Sequence, residues 1–306
     1  MEDKNFKGHA ALFTAYLIFG LNTPISKVVL SSGEVSAMAL TFYRFAGALA
    51  LFWIISLFTK KEHVPLRDIF FLLIASLFGI LLNQMLFIIG LSLTSPIDAS
   101  VITTLSPVLT MILAAFFLGE PITWKKVIGV FIGAAGALLL IQNSNTVGHG
   151  NTNLIGNLLC ISSSLSFAIY LTAFKKLISR YSPITSMKWM FLFATIFSVP
   201  LCGNDVVAVN YLAIPFDIYL RIAFVVVFAT FISYLFIPIG QKVLRPTVLS
   251  MYNYLQPIVS SLVAVALGLD VFGLTKGAAT FLVFLGVYVV TQSKSRAQIE
   301  AEKQQN

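Results

Sequence analysis

Residues 90–107 read GLSLTSPIDASVITTLSP, and residues 240–257 read GQKVLRPTVLSMYNYLQP. Side by side they match Gly90 with Gly240, Pro96 with Pro246, Ser100 with Ser250, Leu105 with Leu255 and Pro107 with Pro257, at a constant offset of 150 residues. The register runs on through Ala114 and Ala264, Lys126 and Lys276, Phe131 and Phe281, Gly136 and Gly286, and Gln142 and Gln292. A single offset held this long marks an internal duplication. It divides the chain into a first unit, 1–142, an outer linker, 143–152, a second unit, 153–293, and a polar tail, 294–306.

Composition says what each unit is made of. Of 306 residues, 58% are apolar and 10% charged, with a mean hydropathy of +0.91. A soluble domain carries about 25% charged residues. A bilayer core about 30 Å thick takes roughly 20 apolar residues per helix, so the windows between charge, Gly and Pro predict about ten spans. They fall near 9–30, 35–58, 68–91, 96–118, 125–141, 153–177, 184–202, 217–239, 246–268 and 274–292. The expected fold class is therefore an all-α membrane protein. Five spans per unit is an odd number, so the second unit enters the membrane from the opposite side, giving two inverted five-helix repeats.

The net charge of +8, from 20 Lys and Arg against 12 Asp and Glu, reads as loop charge beside spans rather than as a nucleic-acid surface. With the N-terminus inside, 16 of the 20 cations face the cytoplasm, among them Lys60, Lys61, Arg67, Lys175, Lys176 and Arg180. That places both termini on the cytoplasmic side of the cell membrane. Lys4 and Lys7 precede an apolar run without a small-residue cleavage pattern, which predicts a retained first span. Cys160 and Cys202 sit in apolar segments and support neither a disulfide nor a thiolate metal site.

The chain resembles the EamA family of the drug/metabolite transporter superfamily. The residues that carry the resemblance are Phe-Tyr-Arg-Phe at 42–45, Thr-Ser-Pro at 94–96, Ser-Pro at 106–107, Leu-Gly-Glu-Pro at 118–121 and glycines 129, 133 and 136. Tyr-Asn-Tyr-Leu-Gln-Pro at 252–257 echoes them, while Asp270 stands where the family's second repeat usually has Glu. The resemblance implies a ten-helix carrier of small organic metabolites, often an exporter, with a central cavity lined by the first four helices of each repeat.

Individual residues point the same way. Arg44 lies well inside the second span, where a charge costs on the order of 3 kcal/mol. Freed carbonyls, Asn83 or Gln84, or an anionic group on a substrate would compensate it, and a structural anchor weighs equally with a substrate contact. Pro107 and Pro257 each remove a mid-membrane hydrogen bond, freeing the carbonyls of Thr103 and Asn253 and marking hinges. Around them cluster Thr103, Thr104 and Ser106, and Tyr252, Asn253 and Gln256, with Asn22 and Asn83 as weaker members of a substrate site. Tyr252 and Gln256, one helical turn apart, are expected on one face. The hydroxyls from Ser162 to Ser166 read as interhelical glue.

Lys27 and Lys175, in matching positions, are expected to snorkel to the headgroups. Glu120 and Asp270 are expected to pair with neighbouring lysines or cap the next helix. Gly129 with Gly133, and Gly273 with Gly277, admit either a homodimer or close packing within the chain.

Walker, GxSxG, HExxH and paired CxxC motifs are missing, so no cofactor, metal or catalytic residue is expected. The partners are then the lipid bilayer and a small-molecule substrate. The twelve carboxylates lie in loops or at helix ends, which favours facilitated diffusion or exchange, or coupling through a peripheral group such as Asp98. The rival reading is an intramembrane enzyme or flippase acting on a lipid-linked substrate. It needs acids, histidines or metal ligands at one depth, whereas His9, His63 and His149 lie at ends or in loops.

Overall fold

The computed structural model describes residues 2–94, 99, 102–142, 154–266 and 274–294. Their regular structure is helical throughout. In the first half α1 is Glu2–Ser31, α2 Ala37–Ser56, α3 Leu66–Leu93, α4 Ser106–Leu118 and α5 Trp124–Gln142. In the second α6 is Leu154–Ala173, α7 Pro183–Ala208, α8 Phe216–Val243, α9 246–266 and α10 Leu274–Thr291. Six of these, α1, α2, α3, α6, α7 and α8, are long and apolar enough to cross a membrane. Their outer faces expose Phe13, Trp53, Phe70, Ile161, Ile196 and Leu220, which suits lipid and not water.

The main helix contacts of one half recur in the other. Helix α1 lies on α8 and α9 as α6 lies on α3 and α4. Helix α2 meets α8 as α7 meets α3, while α2 meets α7, α4 meets α9 and α5 meets α10.

The halves also share irregularities. Helix α3 widens into a π-helical stretch at Leu77–Leu82, and α8 does so at Val225–Ile232. A wide turn leaves carbonyls without their usual helical donors, and side chains supply them. Ser166 donates to the Phe78 carbonyl at 2.8 Å and Ser233 to the Phe228 carbonyl at 3.1 Å.

The two prolines interrupt their helices as the sequence implies. Pro107 opens α4 after a tight turn in which the Leu105 amide donates to the Ile102 carbonyl at 3.0 Å. Pro257 follows a 3₁₀ turn at Tyr252–Tyr254 inside α9.

The matched lysines behave differently from expectation. Lys27 Nζ donates to the carbonyls of Leu91 and Thr94, at 2.8 and 3.1 Å, and Lys175 Nζ to that of Leu244 at 2.6 Å. Each therefore caps the C-terminal end of α3 or α8 instead of reaching for headgroups, because the last carbonyls there carry the negative end of the helix dipole.

Gly129, Gly133 and Gly286 let α5 and α10 approach closely within the chain. Gly273 lies outside the described residues. A Cβ on Gly286 would stand 2.6 Å from the Gly129 carbonyl oxygen and the Gly133 amide nitrogen, both backbone atoms that cannot step aside. Gly286→Ala should destabilise the protein by about 2 kcal/mol. Gly203→Ala, where nothing lies within 4 Å, should cost nothing. Thermal unfolding in detergent reads both, and equal midpoints would show that α5 and α10 are not so tightly apposed.

Candidate functional site: a polar cavity between the halves

The cavity sits where the two halves meet, and its construction begins with equivalent positions. Thr103 and Asn253 are 150 residues apart, as are Ser106 and Gln256, and all four line it. The Asn253 amide donates from Nδ2 to Ser106 Oγ and to the Ser250 carbonyl, both at 3.1 Å. Gln256 Nε2 donates to Asn253 Oδ1 at 2.9 Å. One hydrogen-bonded chain thus ties the start of α4 to the broken middle of α9.

The 3₁₀ turn explains which side chains take part. Three residues per turn bring i and i+3 onto one line, so Asn253 and Gln256 align and Tyr252 is rotated away from Gln256. Tyr252 is not among the residues lining the cavity. Its hydroxyl shares a hydrogen bond with His9 Nδ1 at 2.6 Å, and its ring lies 6.1 Å from that of Tyr16, which does line it.

Opposite stands α3. Asn83 Nδ2 donates to the Ser163 hydroxyl and carbonyl oxygens, each at 3.1 Å, while Ser163 Oγ donates back to the Asn83 carbonyl at 2.6 Å. The Tyr234 hydroxyl reaches Asn83 Oδ1 at 3.1 Å and the carbonyl of Gly79, in the π turn, at 3.2 Å. Asn22 and Thr23 on α1 complete the polar lining with Gln84 and Ser164. Tyr16, Phe19, Phe87, Phe167 and Tyr234 supply its aromatic surface. Its volume is about 90 Å³. A water needs roughly 10–15 Å³ on the same measure, so several waters or a small organic molecule fit.

Arg44 is the charged member of this lining and is 3% exposed. Its Nε donates to Thr230 Oγ1 at 3.0 Å, and that hydroxyl donates across the π turn to the Val225 carbonyl at 2.8 Å. Its Nη1 has no hydrogen-bond partner among the described residues. The compensation is thus a threonine on the other half of the chain, which leaves donor capacity unused.

The cavity therefore gathers Arg44, Asn83, Thr103, Ser106, Asn253 and Gln256, and leaves Tyr252 at its edge. Ser163 and Ser164, whose place in the sequence suggests interhelical glue, and the aromatics also line the cavity without being singled out by the sequence. A signal existed for α1, where Tyr16, Phe19 and Thr23 recur at helical spacing on one face. Among the described residues no cluster of three His, Cys, Asp or Glu side chains could hold a metal. Asn253→Ala and Gln256→Ala should each raise the transport Michaelis constant about tenfold, equivalent to 1.4 kcal/mol of binding. The control Phe281→Ala, on the exposed face of α10, should not (Val283, which the sequence suggests as a lipid-facing control, is fully buried), and unchanged constants in both polar variants would place the substrate elsewhere.

Comparison with known proteins agrees with this architecture. An uncharacterized transporter of Archaeoglobus fulgidus is 28% identical over 85% of this chain and 90% of its own length. The uncharacterized transporter YyaM of Bacillus subtilis is 26% identical over 83% of this chain and 84% of its own. A WAT1-related protein of Arabidopsis thaliana is 29% identical over 49% of this chain and 43% of its own. A solved crystal structure superposes with a TM-score of 0.76 at 19% identity, covering 95% of this chain and 97% of that one, which speaks to the fold alone. The EamA-like transporter family matches residues 6–142 and again 154–292, so both halves, and with them nearly the whole chain, belong to that family of membrane transporters, not to an enzyme family.

Proposed function

We propose that the chain is a secondary transporter of ten spans in two inverted repeats, which moves a small anionic organic molecule by alternating access through the central cavity. The observation that carries the substrate class is Arg44, a buried cation with an unpaired Nη1 in a cavity whose other lining residues are uncharged. Asn83, Asn253 and Gln256 would hold the substrate's polar groups and the aromatic side chains its apolar body. Export is the preferred direction, and Pro107 and Pro257 serve as hinges.

Exchange-symmetric packing supports the inverted arrangement, since a carrier that opens alternately to each side is well served by two halves with interchangeable contacts. The end bearing Lys60, Lys61, Lys175, Lys176 and Lys242 is then cytoplasmic. Labelling of single cysteines tests this. Cys160 and Cys202 are buried and give little background. A cysteine at fully exposed Leu212 should react from outside and one at Lys60 only from the cytoplasm. Reaction of both from the same side would overturn the ten-span topology.

The substrate class is tested by a thermal-shift screen of purified protein against small organic acids, amines and neutral metabolites. A ligand at 100 times its dissociation constant adds about 2.7 kcal/mol. Stabilisation by amines rather than acids would refute the anionic assignment.

A further inference from the structure

A second, basic pocket lies apart from the cavity, where α3 begins and α6 ends. Its walls are Arg67, Asp68 and Phe71 on α3, and Phe174, Lys176 and Arg180 on the segment leading to α7, around about 290 Å³. Three cations face one carboxylate there, and the carboxylate is already engaged. Asp68 Oδ2 accepts from the Tyr181 hydroxyl at 2.6 Å and from Arg180 Nη1 at 3.3 Å. Arg67 and Lys176 are exposed, and among the described residues neither forms an ion pair within 4 Å. The pocket's electrostatics therefore call for an anion.

Its shape calls for a particular kind of anion. The Arg67 guanidinium lies 5.9 Å above the Phe71 ring, and Phe174, stacked on Phe78 at 6.4 Å, is a second aromatic side chain in the pocket wall. Phe71 meets Phe70 edge-on at 6.0 Å, and Phe70 and Leu66 beside it are 59% and 84% exposed on the outer face of α3. A cationic pocket thus opens onto an apolar surface at the end of a spanning helix, the depth at which phosphates sit above acyl chains. A free inorganic anion would use the cations and leave the apolar surface bare.

We propose that this pocket binds the phosphate group of an anionic phospholipid, with Arg67 and Lys176 on the phosphate and the acyl chains along Phe70 and Leu66. The site is independent of what the central cavity carries. By holding the end of α3 against the α6–α7 segment, a bound lipid would fasten the two halves together at this end of the bundle.

The test titrates short-chain phosphatidylglycerol and phosphatidylcholine into the full-length protein in neutral detergent, reading the dissociation constant from thermal stabilisation. Phosphatidylglycerol should bind more tightly. Each cation near an anionic lipid is worth about a fivefold factor, so Arg67→Gln/Lys176→Gln should weaken it roughly thirtyfold while leaving phosphatidylcholine unaffected. The exposed single variant Lys176→Gln should lose about fivefold, which keeps the test decisive should the double variant fold poorly. Lys60→Gln/Lys61→Gln, equal in charge but outside the pocket, should change nothing. Equal loss in that control, phosphatidylglycerol no tighter than phosphatidylcholine, or inorganic phosphate binding as tightly as the lipid would each overturn the proposal.

Discussion

Arg44→Gln should reduce kcat/KM for an anionic substrate about a hundredfold and leave the folded protein as abundant and as stable as the parent. The two halves of that expectation come from different features. Charge-assisted hydrogen bonds to a carboxylate are each worth about 1.5–3 kcal/mol, and the side chain has an unused Nη1 to make them. Stability, by contrast, draws on one bond among the described residues, from Nε to Thr230. A neutral amide sheds the desolvation of a buried guanidinium, which offsets that loss. A purely structural anchor makes the opposite forecast, in which unfolding midpoint and transport fall together. Arg44→Lys should recover part of the affinity, since it restores charge without the bidentate geometry. Detergent-purified protein, assayed by thermal unfolding and by uptake in proteoliposomes, separates the outcomes.

The second large effect is on stability. Lys126 is 1% exposed and pairs with Glu120 at 2.6 Å, where α4 ends and α5 begins. Lys175 and Arg245, from the second half of the chain, lie within the field of the same carboxylate but bond to backbone carbonyls, so Lys126 is its one ion-pair partner among the described residues. Glu120→Gln should cost about 4 kcal/mol, because it strands a buried ammonium beside Arg245. Lys126→Met should cost less, since Glu120 is 13% exposed and keeps some access to solvent, whereas Lys126 is 1% exposed. The double variant should be more stable than Glu120→Gln alone, the sign expected when removing the second partner relieves an uncompensated charge. If the single losses simply add in the double variant, the pair is not coupled and this account fails.

The all-helical, two-unit layout is displayed in the sequence because lipid makes few demands and enforces them strictly. Hydrophobic windows and the constant offset between the Pro107 and Pro257 segments required no knowledge of packing. The cavity was partly legible for the same reason, since Arg44, Asn83, Asn253 and Gln256 are costly to bury without purpose. Tyr252 lies off the cavity because i, i+4 spacing implies a shared face only in an α-helix, and the 3₁₀ turn beside Pro257 changes the angle per residue. Ser163 was read as glue because a serine bonded across helices looks the same in sequence whether or not a cavity lies beside it. The caps made by Lys27 and Lys175 stayed hidden because their partners are backbone carbonyls distant in the chain, which carry no sequence signature.

The paired π turns have a consequence for which changes of chain length the protein tolerates. A π turn accommodates one residue more than an α turn while keeping the helix on either side in phase. Deleting a residue within 77–82 should let the turn close to α geometry and leave Asn83, Gln84 and Phe87 facing the cavity. The same deletion a turn later, within the regular helix Asn83–Leu93, would rotate everything beyond it by about 100° and carry the C-terminal end of α3 away from Lys27. The equivalent stretch, 225–232, protects Tyr234 in the same way. Each half therefore holds a short window in which a residue can be lost without re-aiming the cavity, and a frame in which it cannot.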